Sequence, residues 1–94
     1  MSDRLNFHEY LLAIQDEFKL NHPQMVELRK KLTSVYHGQF QVRRSSRNSV
    51  SLEALGQVVW DGMSNGQSLE TMLASDLITQ ARRIEQAWAK EQAS

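Results

Sequence analysis

The sequence has no cysteine and only one proline among its 94 residues. Without cysteine there can be no disulfide, no thiolate nucleophile and no cysteine-ligated zinc site. No stretch approaches the roughly 20 consecutive apolar residues of a membrane-spanning helix. The first residues also contain no apolar run of the kind found in signal peptides. We therefore expect a cytoplasmic protein that does not associate with a membrane.

Patterns typical of a catalytic site are scarce as well. The four glycines are spread over expected turns and one helix, so they do not form a glycine-rich phosphate loop. His8 and Glu9 resemble the start of a helical zinc motif, but Leu12 occupies the position of the second histidine. We therefore predict a protein that is not an enzyme and that uses neither a cofactor nor a metal ion.

Acidic residues are absent from the middle of a chain whose formal net charge is zero. Residues 28–52 carry six bases and no acid. Residues 1–27 carry two bases against five acids, and residues 53–94 carry three bases against six acids. The chain is therefore acidic, basic and acidic in turn. Such an asymmetry of sign indicates a surface that faces a partner of opposite charge.

Hydrophobic spacing predicts a mainly α-helical fold, with four helices in a single domain that spans residues 1–94. Start and stop signals give the expected bounds of these helices as about 6–20, 23–37, 51–63 and 68–91. Asn6 and Glu9 resemble a capping box at the start of the first helix. Gly38 is the predicted stop signal of the second helix. A domain of this size buries one modest core.

The last predicted helix is long for so small a domain. Its apolar stripe ends at Ile84 and Trp88, so both side chains would be exposed if the helix extended beyond the core. We expect these two residues to support a homodimer, with a core position for Trp88 as the alternative. Gly56 lies within the third helix, where glycine costs about 1 kcal/mol relative to alanine. Either a close helix crossing requires this glycine, or the fold tolerates it.

Residues 39–50 carry the clearest functional signal in the sequence. The string QFQVR alternates polar and apolar residues, as a short strand does, and arginines and serines follow it. We predict a short β-hairpin or a polar loop here, between two pairs of helices. Arginine makes bidentate contacts with carboxylates and phosphates, and serine, asparagine and glutamine add neutral hydrogen bonds. The candidate binding residues are Gln39, Phe40, Gln41, Arg43, Arg44, Arg47, Lys30 and Lys31.

The order of QFQVR followed by two helices joined at NGQS resembles that of the ribbon-helix-helix repressors. In that family, strands from two chains enter the major groove of DNA and read bases with alternate side chains. The resemblance implies that Gln39, Gln41 and Arg43 would face the bases. It covers about half of the chain, its spacing departs from the family pattern, and the first two helices lie outside it.

Two functions fit these features. In the first, the protein is a regulatory adaptor or inhibitor that presents its arginines to an acidic protein. In the second, it is a transcriptional or RNA regulator that binds nucleic acid through residues 39–50. The zero net charge and the acidic last helix favour a protein partner, whereas the basic stretch favours nucleic acid. As a further alternative, the acidic flanks neutralise the arginines within the chain and leave the last helix as the working surface.

Overall fold

The computed structural model describes residues 5–42 and 49–93, which form five α-helices and no strand. In chain order the helices are α1 (Phe7–Phe18), α2 (His22–Val42), α3 (Leu52–Ser64), α4 (Leu69–Ala74) and α5 (Leu77–Ala93). The predicted mainly α-helical class is therefore confirmed. None of these five helices combines the length and the apolar composition that a bilayer crossing requires.

Side-chain caps fix where α1 and α2 begin. The Asn6 side chain accepts a hydrogen bond from the Glu9 N–H at 2.8 Å, and the Glu9 carboxylate accepts one from the Asn6 N–H at 2.9 Å. This is the capping box that the sequence predicts. Asn21 and Gln24 form the same reciprocal pair at the start of α2, with both distances at 2.9 Å. Lys19 ends α1 in the left-handed conformation, with φ at 57°. The two caps and this left-handed residue explain why the break between α1 and α2 is so short.

α2 is longer than the sequence predicts. It continues through Gly38 to Val42, so the expected stop at Gly38 is wrong, and residues 39–42 are helical where we predicted part of a hairpin or polar loop. Glycine inside a helix costs only about 1 kcal/mol relative to alanine, and Tyr36 packs against the core less than two turns from the end. An alternation of five residues is too short to separate a strand from a helix. The rest of the expected hairpin or loop, residues 43–48, lies outside the described residues.

The expected final helix is divided into two, so the four predicted helices become five. Ser75 and Asp76 separate α4 from α5 because each side chain offers the backbone a local partner. The Ser75 hydroxyl donates to the Met72 carbonyl at 2.6 Å, and Asp76 Oδ1 accepts from the Thr79 N–H at 3.1 Å. The backbone N–H of Thr79, and to a smaller extent its hydroxyl, donate hydrogen bonds that lower the pKa of the Asp76 carboxyl. This cap therefore stabilises the fold above the ordinary pKa of the carboxyl and is lost as the pH falls through the lowered value.

α3 lies at the centre of the fold and contacts each of the other four helices. No polar or charged side chain among the described residues is buried. The core consists of buried apolar side chains from all five helices and from the residues just before α3: Leu11, Ile14, Leu28, Leu32, Val50, Ala54, Leu55, Val58, Val59, Leu69, Met72, Leu77 and Ala81. The apolar stripes that predicted the helices therefore face this core.

Gly56 lies where α1 crosses α3 with no space for a side chain. A Cβ at this position would lie 2.9 Å from the Tyr10 Cβ and 3.0 Å from the Tyr10 Cγ. Beside the crossing, the Tyr10 hydroxyl donates to Gln57 Oε1 at 2.5 Å and so holds the ring in place. Of the two interpretations of Gly56, the close helix crossing is therefore the correct one.

Candidate binding surface

One side of α2, turned away from its buried residues Leu28 and Leu32, carries exposed side chains and no acid. At about 100° per residue, six residues of α2 from Val26 onward share a sector about 100° wide, which we call the outer face. The outer face consists of Val26, Arg29, Lys30, Thr33, His37 and Phe40, of which Thr33 is partly buried and the other five are exposed. The single acid of α2, Glu27, lies outside this sector and lines a cleft towards α4. The outer face therefore combines positive charge with exposed apolar area.

Large apolar side chains are rarely exposed in the described residues. The exposed ones are Leu12, Val26 and Phe40, with 50%, 42% and 43% of their surface accessible. Two of these belong to the outer face, and Leu12 lines a groove between α1 and α2 together with Val26. Neither Leu12 nor Val26 belongs to the apolar stripes that predict the core. Both residues are absent from the predicted binding residues, and an apolar side chain off the stripe is the signal that could have found them.

Phe40 is held in place although it is exposed. Its ring lies edge-to-face on Tyr36, with 5.2 Å between the ring centroids, and Tyr36 in turn packs against the core. The His37 ring also contacts the Tyr36 ring, with 5.3 Å between the two centroids. A ring that is already fixed loses little conformational freedom on binding, so Phe40 is suited to anchor a partner.

Gln39 is used within the chain rather than on the outer face. Its Nε2 donates to the Val50 carbonyl at 2.8 Å, and its Oε1 accepts from the Val50 N–H at 2.9 Å. One residue further along, the Ser51 N–H donates to Glu85 Oε2 of α5 at 2.9 Å. Because Val50 is only 2% exposed, the Gln39 amide satisfies backbone groups that water reaches poorly. It also ties the last turn of α2 to the start of α3.

Replacing Gln39 by alanine should lower the free energy of unfolding by about 1–3 kcal/mol, because both backbone groups of the buried Val50 lose their partners. Urea denaturation measures this change, and hydrogen exchange at the Val50 amide should accelerate in parallel. The matched control is Gln86→Ala at an exposed position of α5, where we expect a change within about 0.5 kcal/mol. Equal effects of the two substitutions would show that the Gln39 pairing adds no particular stability.

Lys30 and Lys31 lie on different sides of α2. Lys30 belongs to the outer face, whereas Lys31 lines the cleft between α2 and α4 together with Glu27 and Glu70. Nine positions separate Lys31 from Phe40, and at about 100° per residue this places them on opposite sides of the helix. Lys30 and Phe40 therefore share a face, about 15 Å apart along the helix axis, whereas Lys31 lies on another face.

The three arginines of the predicted binding segment, Arg43, Arg44 and Arg47, lie outside the described residues, as does the side chain of Gln41. α2 ends at Val42 and leads directly into this segment. The role of the arginines in binding therefore stays a prediction.

Ile84 and Trp88 are both partly buried in α5 and pack against the core. α5 begins at Leu77, so the helix that carries them is shorter than the sequence predicts. Contact with the core accounts for the apolar character of both residues within this chain. Self-association through them stays a prediction.

A cleft of about 430 Å³ lies between α3, α4 and α5. Its polar side chains form hydrogen bonds inside the chain: Asp61 accepts from Gln57 at 2.6 Å, and Gln80 donates to the Ser75 hydroxyl at 2.9 Å. These bonds occupy polar groups at the cleft and leave fewer of them for a ligand to bind. We therefore place the candidate binding surface on α2.

Residues 62–66, Gly-Met-Ser-Asn-Gly, have the spacing of a nucleophile elbow, in which the serine lies at a sharp turn from strand to helix. Here Ser64 is the last residue of α3, and Gly66 takes a φ of 97° in the turn before α4. The pattern therefore marks a helix end and does not form an elbow. Across residues 5–42 and 49–93, no three histidine, aspartate or glutamate side chains are grouped so that they could hold a metal ion.

No protein-family model matches the chain, and no curated protein or solved structure is significantly similar to it. The side chains of the outer face are therefore the basis for a functional proposal. Its bases bind carboxylates or phosphates, and its exposed apolar side chains gain most when a partner removes them from water.

Proposed function

We propose that this protein is a small non-enzymatic regulatory protein that binds an acidic partner protein through the outer face of α2, as an adaptor or an inhibitor. One observation supports this most: exposed Val26 and Phe40 lie among Arg29 and Lys30 on a face without an acid. Such a face suits a partner whose apolar side chains are set among carboxylates. The charges would speed the encounter, and the apolar anchors would supply most of the binding free energy.

Two observations favour a protein over a nucleic acid as the partner. Gln39 is hydrogen-bonded to Val50, and Lys31 lies on the opposite side of α2, so two of the residues expected to contact phosphates or bases are directed elsewhere. The second observation is that Val26 is exposed on the outer face. A phosphate backbone offers an exposed valine no apolar partner, whereas a protein surface does.

Nucleic-acid binding is the second candidate, and the pair of Phe40 and Tyr36 favours it. An exposed aromatic ring that comes shortly before a stretch of arginines in the sequence resembles the stacking platforms of proteins that bind single strands. Binding of this kind would weaken steeply as the salt concentration rises, because phosphate contacts release counterions.

Site-specific photocross-linking in the cells that make the protein separates these candidates. A photoreactive phenylalanine analogue replaces Phe40 in one variant and Lys31 in the matched control, since both positions are exposed and lie on opposite sides of α2. We expect a discrete protein adduct from position 40 and none from position 31. A nuclease-sensitive adduct from position 40 would support the second candidate. Identical adducts from both positions would contradict binding through the outer face.

A further inference from the structure

A groove of about 210 Å³ runs between α1 and α2. Leu11 is its most buried lining residue, at 4% exposed, and Met25 beside it is partly buried. Leu12 and Val26 line the same groove and are 50% and 42% exposed. Single exposed apolar residues are common on protein surfaces, but these two line one groove, where a partner would remove both from water.

The polar residues that line this groove carry no negative charge. They are His8 from α1 and His22 and Arg29 from α2, and all three are exposed. Arg29 is permanently positive, and the two imidazoles donate or accept hydrogen bonds. A partner with carboxylates beside its apolar side chains would therefore match the groove in charge as well as in polarity.

The size and the walls of the groove indicate what kind of element fits. Pockets for small molecules span about 300–1,000 Å³, which is more than this groove encloses. Two helices border it, and helical backbone groups are engaged in their own hydrogen bonds, so the groove offers no sheet edge to an extended strand. Of the known modes of peptide recognition, strand addition therefore does not apply, and a helix that inserts side chains spaced one turn apart suits a groove between two helices.

We infer that the groove between α1 and α2 is the docking site for an amphipathic helix of the partner protein, with apolar anchors in the groove and acidic side chains along its edges. The inference rests on the proposed function in one respect, namely that the partner is a protein. Val26 and Arg29 belong to both the groove and the outer face, so one partner can cover the two surfaces together.

The test uses a synthetic fluorescent helix of about five turns, with leucines on one face and glutamates elsewhere. Its affinity for the full chain is measured by fluorescence anisotropy at low salt. Binding should weaken about tenfold with each of the single substitutions Leu12→Gln and Val26→Gln. It should change less than about twofold with Ala87→Gln, a matched change at an exposed position of α5. A second peptide with lysine in place of every glutamate should bind at least about tenfold more weakly.

Several results would overturn the inference: no binding of the acidic peptide, equal binding of the lysine peptide, or full affinity in the Leu12→Gln variant. A dimer that Leu12→Gln converts to a monomer would assign the groove to a second copy of this chain instead. Failure of the proposed function gives a distinct result, because photocross-linking at position 40 would then yield no protein adduct. If a protein is captured there and Leu12→Gln leaves its affinity unchanged, the proposed function stands and the groove assignment fails.

Discussion

Replacing Gly56 by alanine should lower the free energy of unfolding by about 1–3 kcal/mol, although alanine is the better helix former by about 1 kcal/mol. The added methyl group would lie 2.9 Å from the Tyr10 Cβ. That atom is attached to the backbone, so a change of side-chain rotamer cannot move it away. The crossing of α1 and α3 would have to widen, and the packing of the core between them would weaken. Urea denaturation of the two proteins measures the difference.

Gly38→Ala is the matched control, because it makes the same chemical change inside another helix. A Cβ at Gly38 would meet no atom within 4 Å, so the gain in helix propensity is not opposed. We expect the free energy of unfolding to rise by about 0.5–1 kcal/mol. If both substitutions were destabilising, α2 would not continue through Gly38 as a helix. If both were stabilising, the close crossing at Gly56 would be refuted.

Replacing Phe40 by alanine should weaken binding to the captured partner by about 30-fold, which corresponds to a hot-spot contribution of about 2 kcal/mol. Because the ring is 43% exposed and lies at the surface, the free energy of unfolding should change by much less than it does for a core residue. Calorimetric titration with the partner identified by cross-linking gives the affinity.

Phe40→Tyr is the conservative control for this prediction. Tyrosine keeps the ring that packs on Tyr36, so binding should stay within about threefold of the parent. Loss of affinity in the tyrosine variant as well, or unfolding of the alanine variant, would show that Phe40 acts through the fold and not through contact.

The starts of α1, α3 and α4 were predictable because their signals lie within a few residues of one another. Asn6 caps α1 as expected, and Ser51 and Ser68 cap α3 and α4 by accepting hydrogen bonds from the N–H groups three residues further on, both at 3.1 Å. Each cap depends on one short polar side chain at a fixed offset. The sequence therefore contains all the information that these helix starts need.

The ends of helices were harder to predict because they depend on a balance between local and tertiary effects. At Gly38 the local signal favours a stop, but packing of Tyr36 and the bonds of Gln39 to Val50 favour continuation. At Asp76 the opposite happens: the apolar stripe favours one long helix, but a cap to Thr79 starts a new one. Spacing alone gives neither outcome. At Gly38 the deciding bonds join Gln39 to a residue beyond the helix, and at Asp76 two local signals, the apolar stripe and the cap, compete.

The candidate surface was predictable in its charge but not in its geometry. The basic stretch identifies α2 and the residues after it, yet Lys30 and Lys31 are equivalent in any count of charge. Only the phase of the helix separates them. Gln39 belongs to the same polar string as its neighbours, and its pairing with Val50 spans a segment that no local pattern describes.

Charge reversal at two neighbouring lysines tests most directly whether α2 binds its partner through the outer face. Lys30→Glu and Lys31→Glu make the same change, one on the outer face and the other in the cleft with Glu27 and Glu70. The affinity for the captured partner should fall about tenfold with Lys30→Glu, and this loss should shrink as salt screens the charges. With Lys31→Glu the affinity should change less than about twofold. Equal losses from the two substitutions, or a greater loss from Lys31→Glu, would contradict binding through the outer face.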